Sequence, residues 1–276
     1  MESLFMIQAS DNRNLHLAYN LQKKGYNVAL WRAQTDHQSI AAISDEELSC
    51  KDSIMVLSLT ATQDKIDNVL RLLSPGCVVF GGRISDENLR YSQSCGLQYI
   101  DLLSYEPFSI LNAIPTAEGA LHLAIEHTSH AINGARVLVL GYGRVGKATA
   151  RLFSAAGARV DVLTQSPQER ALARLNGLRS LALVRLTSRF SRAQIVINTI
   201  PARILGRAEL RLLPPKCLII DLSSPPGGTD HQEAQRLGLT SLHALALPDK
   251  YAPQSAAEYM ESSILTLLHE MEGDTT

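Results

Sequence analysis

The feature that most constrains this chain is Gly141-Tyr142-Gly143-Arg144-Val145-Gly146, which follows the apolar run Val137-Leu138-Val139-Leu140 and leads into a helical stretch from Val145 to Ala156. A G-x-G-x-x-G set between a strand and a helix divides its work among three glycines. Gly141 permits a tight turn, Gly143 lets a pyrophosphate approach the backbone, and Gly146 lets the helix pack close to the strand. The anion then rests on the helix N-terminus, where free amides and the dipole favour negative charge. Gly157-Ala158-Arg159-Val160 leads into a second strand and completes the βαβ context. Gly141, Tyr142, Gly143, Arg144, Val145 and Gly146 are therefore expected to bind a dinucleotide. The same pattern also fits a unit that has lost its ligand. The matching turn of the first half, Gln8-Ala9-Ser10-Asp11-Asn12-Arg13, has no glycine, so only the second half is expected to hold a cofactor.

At the end of the second strand of such a unit, an acidic residue ordinarily holds the ribose 2'-hydroxyl of NAD. Here that place reads Thr164-Gln165-Ser166, and Asp161 falls within the strand three positions early. Ser166, Pro167 and Glu169 form a capping box with proline at the first helical position, and Arg170 follows. A 2'-phosphate would meet a helix dipole, a hydroxyl and a guanidinium, which favours NADP with NAD as the alternative. A purely capping Ser166 beside a solvated Arg170 fits the same residues.

Short apolar strands alternate with helical patterns along the chain, as in parallel α/β proteins. Candidate strands are Leu4 to Ile7, Asn27 to Trp31, Ser53 to Leu59, Cys77 to Phe80 and Leu97 to Ile100, then Arg136 to Leu140, Arg159 to Leu163, Gln194 to Asn198, Cys217 to Asp221 and Thr240 to Leu245. The segment from Arg71 to Phe80 resembles that from Arg211 to Ile220, 140 residues later, and Met55-Val56-Leu57 falls on Ile195-Val196-Ile197 at the same offset. A shared offset across two strands points to two similar domains. The expected fold is α/β, two Rossmann-like doubly wound parallel-sheet domains with a cleft between them. Residues 1–115 would form the first, 116–133 a connecting helix starting at Pro115-Thr116, 134–250 the cofactor domain, and 251–276 a helix, capped by Ser255 with Glu258, that packs back on the first domain.

A chain that is 45% hydrophobic, with a net charge of -1 and no basic block, is neither disordered nor built for nucleic acid or membrane surfaces. No apolar run approaches the ~20 residues that span a bilayer. The beginning lacks a basic leader region and reads as a first strand. Cys50, Cys77, Cys95 and Cys217 are scattered without metal-ligand spacing, which predicts no metal site and suits a reducing cytoplasm.

In open α/β sheets ligands gather beyond the carboxyl ends of the strands. There Asn198-Thr199-Ile200-Pro201, Asp221-Leu222-Ser223 and Leu247-Pro248-Asp249-Lys250 offer a polar rim. Thr199, Ile200, Pro201, Asp221, Leu222 and Ser223 are expected near the nicotinamide and its ribose. Thr229 with Gln232 reads equally as a capping box. Arg83 and Lys250 are candidate carboxylate binders, and Asn112, Glu118, Asp221 and Lys250 candidate catalytic groups. His122 and Glu126, a helical turn apart, read as a solvated face.

Asn112-Ala113-Ile114-Pro115-Thr116-Ala117-Glu118-Gly119, the glycine turn, Ile197-Asn198-Thr199-Ile200-Pro201, Asp221-Leu222-Ser223-Ser224 with Gly227-Gly228-Thr229-Asp230, and Leu247-Pro248 with Ala252-Pro253 together resemble the A-subunit family of dipicolinate synthase. The resemblance is close from about Asn112 to Leu268. It implies a protein of the mother cell of sporulating bacteria that dehydrogenates a dihydrodipicolinate-type dicarboxylate of the lysine pathway. NAD(P) would take the hydride and the flavoprotein-like B-subunit of dipicolinate synthase would be the partner, with a homo-oligomer also open. It also implies a layout similar to D-2-hydroxyacid and alanine dehydrogenases. The chain departs from the family pattern at Gln165 and Pro225, where the family has an arginine and a basic residue, and at Asp249, where it has a glycine. Two other readings share these residues: a dehydrogenase of another small acid, and a catalytically silent nucleotide-binding scaffold.

Overall fold

The computed structural model describes residues 3–33, 40–49, 53–185 and 187–273. Cys50 lies outside them. The first part of the chain runs β1 (Phe5–Gln8), α1 (Asn12–Lys23), β2 (Val28–Trp31), β3 (Ala41–Ile43), β4 (Ile54–Val56), α2 (Gln63–Leu70), β5 (Val78–Gly81), α3 (Asp86–Ser94), β6 (Gln98–Asp101) and α4 (Glu106–His127). The second runs β7 (Arg136–Leu140), α5 (Arg144–Ala155), β8 (Arg159–Thr164), α6 (Pro167–Leu175), β9 (Arg179–Ala182), α7 (Thr187–Phe190), β10 (Ile195–Asn198), α8 (Arg207–Leu210), β11 (Leu218–Asp221), α9 (His231–Arg236) and β12 (Thr240–His243). Helices α10 (Leu247–Tyr251) and α11 (Pro253–Gly273) follow.

The strands form two six-stranded parallel sheets, ordered β3-β2-β1-β4-β5-β6 and β12-β11-β10-β7-β8-β9. Each is the doubly wound order, counted from opposite edges. The fold class read from the strand and helix pattern is the fold observed. The offset of 140 residues lands β5 on β11 residue for residue. Inner strands such as β1, β10 and β11 are buried throughout, as parallel strands covered on both faces must be. Sequence reading missed β3 and β9. Both are edge strands with little burial, so neither carries a continuous apolar run.

The chain divides into two compact units, one comprising the residues up to Asn112 and again from Pro248, the other Ala113–Leu247. Each division falls three residues before the boundary the sequence suggested. In the first unit the period of two in β1 splits its side chains between two core layers. Phe5 and Ile7 join Leu17, Leu30, Phe80, Phe108, Met260 and Ile264 on one face, and Met6 joins Trp31, Met55 and Val79 on the other. Helix α11 packs on α1 within this unit. In the second unit Leu138, Leu140, Val196 and Ile219 pack with Phe190, Leu210 and Ala234.

Three helix starts are corrected. Helix α4 begins at Glu106 and carries Pro115 inside it, not at Pro115-Thr116. Phe108 is buried in the first core, and Ala113, Ala117, Ala120 and Ala124 are buried in the second unit. Burial on both sides of Pro115 offsets the ~3 kcal/mol a proline costs in a helix interior. Helix α9 is capped by Asp230, whose side chain accepts from Glu233 N, rather than by Thr229. Helix α11 opens at Pro253, which leaves Ser255 within its first turn.

Candidate nucleotide site

The glycine turn is held by its neighbours before any ligand is considered. Gly141 has φ +89, and its amide donates to Leu163 O of β8 at 2.8 Å. A Cβ there would meet Thr199 Oγ1 at 2.5 Å, and one on Gly146 would run into the Gly141 carbonyl. These two glycines allow α5 to start against the end of β7. Thr199, whose hydroxyl donates to Leu140 O at 2.8 Å, closes the turn from β10.

Gly143 differs from both. A Cβ built on it meets nothing within 4 Å, so open space lies over the N-terminus of α5. That helix has no side-chain cap and no acidic residue in its first turn. Uncapped amides beneath an open glycine fit a pyrophosphate. Within the turn Tyr142 supplies backbone alone: its ring is buried in the second unit, and its hydroxyl accepts from Asn176 Nδ2 at 3.2 Å.

At the ribose end Thr164-Gln165-Ser166 offers no carboxylate in sequence, yet one reaches the end of β8, because the first turn of α6 folds Glu169 back until it accepts the Thr164 hydroxyl. Ser166 Oγ accepts from Glu169 N at 3.2 Å, the cap expected from the sequence. Arg170 is half-buried, and its Nη1 donates to Thr164 O at 3.0 Å and Gln165 O at 2.8 Å.

The rim beyond β10 and β11 is organised by Asp221, fully buried. Burial opposes its charge, but donors outweigh it and hold its carboxyl below the usual carboxylate range. Ser223 Oγ (2.6 Å), Ser223 N (3.0 Å), Asn198 Nδ2 (2.9 Å) and Gly228 N (2.8 Å) all donate to it. A carboxylate so fully engaged positions the loop from Leu222 to Thr229 instead of accepting a substrate proton. Leu222 is tied in by its amide, which donates to Asn198 O at 2.8 Å. Two histidines that sequence reading missed adjoin this carboxylate. His243 Nε2 donates to Ser223 O at 3.0 Å, and its ring stacks on His231 with centroids 5.4 Å apart. Burial lowers the His231 pKa, with Asp221 opposing and His243 adding to the shift. Their only sequence signal was position, at the start of α9 and the end of β12.

Each of the remaining candidates belongs to one unit of the chain. Glu118 is exposed on α4, and Asn112 is half-buried in the same helix. His122 and Glu126 pair at 3.6 Å with both side chains more than half exposed, a solvated face. Arg83 is exposed and contributes its carbonyl to Gln63 Nε2 at 2.8 Å. Lys250 belongs to the first unit and not to the cofactor domain, because the chain leaves the second unit at Leu247. It is exposed, with its ammonium 5.0 Å from the Tyr251 ring centre. Its neighbour Asp249 accepts from Asn12 N (2.8 Å) and Arg13 N (3.3 Å) at the start of α1. Pro201 is exposed, and Ile200 half-buried, beside the turn. Among the described residues no acidic, histidine and cysteine groups gather to hold a metal, and no helix is long and apolar enough to cross a membrane.

Comparison with known proteins agrees with this geometry. The family described as D-isomer specific 2-hydroxyacid dehydrogenase, NAD binding domain, matches residues 116–224. The dipicolinate synthase A-subunit of Bacillus subtilis (strain 168) is 38% identical over 199 residues, 72% of this chain and 67% of that protein. The crystal structure of the dipicolinate synthase A-subunit from Bacillus halodurans superposes with a TM-score of 0.89 at 27% identity, over 97% of this chain and 98% of the other. The crystal structure of the Bacillus subtilis protein gives 0.86 at 29%, over 99% and 98%.

Proposed function

Because the chain belongs to the A-subunit family of dipicolinate synthase, we propose that it dehydrogenates a dihydrodipicolinate-type cyclic dicarboxylate to dipicolinate, with NADP preferred over NAD as hydride acceptor. The observation that carries the reading is the open Gly143 over the uncapped start of α5, a cradle shaped for a pyrophosphate within a domain of dehydrogenase type. When bound, the nicotinamide supplies the redox chemistry, and the protein's part is to orient and enclose. Gly141 to Gly146 would hold the pyrophosphate by backbone amides, Thr164 to Ser166 with Arg170 the adenosine ribose, and Thr199 with the Asp221 loop the nicotinamide ribose. The substrate loses one hydride to the cofactor and one proton to water, and aromatisation of the ring drives the step. By family, the B-subunit would be the partner and the mother-cell cytoplasm of a sporulating bacterium the compartment.

A second reading, a nucleotide-binding protein without activity of its own, is favoured by one observation. Asp221 has its acceptors filled, and Glu118, Arg83 and Lys250 all face solvent. One experiment separates the two. Purified protein is incubated with the lysine-pathway intermediate and NADP, with absorbance at 340 nm and dipicolinate both followed. Reduced cofactor formed with dipicolinate in equal amount supports the dehydrogenase. Cofactor binding without either product supports the silent protein, and reduced cofactor with a different small acid only would reassign the substrate.

A further inference from the structure

We infer that Arg203 forms, together with Arg170, a binding site for a 2'-phosphate on the adenosine end of the dinucleotide. The inference rests on the nucleotide reading above and names the residue that would decide cofactor choice. A cavity of about 420 Å³ opens within the second unit, at the carboxyl ends of three strands. Gln165 and Arg170 line it beyond β8, Leu183 and Val184 beyond β9, and Arg203 and Ile204 beyond β10. Strand β8 pairs directly with β7, whose end carries the glycine turn. The Gln165 and Arg170 wall lies where a dinucleotide places its adenosine ribose, while Arg203 and Ile204 reach the cavity from beyond β10, on the other side of β7.

Its chemistry has two parts. Leu183, Val184 and Ile204 form an apolar wall, and Val184 is 87% exposed, a branched apolar side chain that a flat heterocycle would cover. Against that wall stand two guanidiniums, and no carboxylate is among the lining residues. Glu169 takes the Thr164 hydroxyl, and Asp230 divides its carboxylate between the α9 cap, through Oδ1 (3.1 Å from Glu233 N), and Arg203, through Oδ2.

Each cation has a partner, although the Arg203 side chain is 69% exposed. Arg170 Nη1 is fixed by two carbonyls, and Arg203 Nη2 sits 3.1 Å from Asp230 Oδ2. The loop carrying Arg203 is pinned as well. Ile204 N and Leu205 N donate to Gly228 O at 2.9 and 3.0 Å, and Asp230 N donates back to Leu205 O at 2.9 Å. A guanidinium has five N–H donors, so one anchored nitrogen leaves others for a ligand. Two guanidiniums facing one cavity suit a dianion, with which they form charge-assisted hydrogen bonds stronger than those a neutral 2'-hydroxyl accepts. Arg203, reaching the cavity from beyond β10, supplies a charge there that Gln165, beyond β8, does not.

The test is calorimetric titration of the full chain with NADPH, NADH and adenosine 2',5'-bisphosphate, for wild type, Arg203→Met and Arg170→Met, with thermal melting to check folding. Wild type should bind NADPH more tightly than NADH. Arg203→Met should weaken NADPH and the bisphosphate by about tenfold or more, while NADH changes less than about twofold. Equal weakening of NADPH and NADH, or no change in either, overturns the assignment of Arg203. Wild type that takes NADH but not NADPH overturns the 2'-phosphate site and leaves dinucleotide binding standing. Wild type that binds neither overturns both. Arg203 lies in a surface loop, and should Arg203→Met nevertheless melt early, Arg203→Gln read against the bisphosphate decides the matter.

Discussion

Gly143 and Asp221 are adjacent in role but opposite in how they respond to change. Gly143 has φ -71 and room for a side chain, so Gly143→Val should fold normally while filling the space over α5. Calorimetry should show dinucleotide binding lost, with the melting temperature unchanged; full affinity in the folded variant would mean the turn does not hold the pyrophosphate. Asp221 is a stability residue. Asp221→Asn places an amide N–H₂ among donors that need an acceptor, and about 2–4 kcal/mol should be lost in urea denaturation. The pH dependence follows from its lowered folded-state pKa. Its contribution is present above the unfolded value near 4, and is lost as pH falls through the lower folded value. The stability gap between wild type and Asp221→Asn should therefore be widest near neutrality and shrink below about pH 4. At this scale the glycine turn was legible because its spacing is local. Glu169 at Thr164 and the donors around Asp221 were not, since they come from side chains brought together by a helix turn or from different strands.

Among the elements, α1 shows how one helix depends on distant sequence. Its first turn is capped twice, by Asp11 accepting from Asn14 N at 3.0 Å and by Asp249 accepting from Asn12 N and Arg13 N. Asp249→Ala should cost about 1 kcal/mol, the value of one cap, because Asp11 remains. Its flank lies against α11, where Met260 is fully buried. Met260→Ala should cost about 2–5 kcal/mol by the cavity it leaves. Both follow from urea midpoints, and a Met260→Ala variant as stable as wild type would mean that α11 adds little to the first unit. The helices whose starts the sequence misplaced carry local start signals at Pro115, Thr229 and Ser255 that the structure does not use as caps: α4 and α11 begin earlier, and Asp230 caps α9 one residue on.

At the scale of the whole molecule, the first unit is built from both ends of the chain. A chain ending at Leu247 would remove Ala257, Met260 and Ile264 from the first core while leaving the second core whole. Loss of Met260 and Ile264 alone, at about 2–5 kcal/mol each, is comparable with the 5–15 kcal/mol stability of an ordinary domain. The truncated chain should lose the first unit to proteolysis and retain nucleotide binding in a protected fragment beginning near Ala113. Retention of a protease-resistant first unit would contradict the assigned core. The α/β class, the doubled plan and the glycine cradle were determined by the sequence, because periodicity, turn residues and a repeated segment are properties of neighbours along the chain. Which edge strands complete the sheets, how the Asp221 carboxylate is satisfied by four donors, and how Arg170 and Arg203 come to line one cavity were decided by tertiary structure alone. Those arrangements join residues from separate crossovers, and no local pattern records which strand ends a parallel sheet will set side by side.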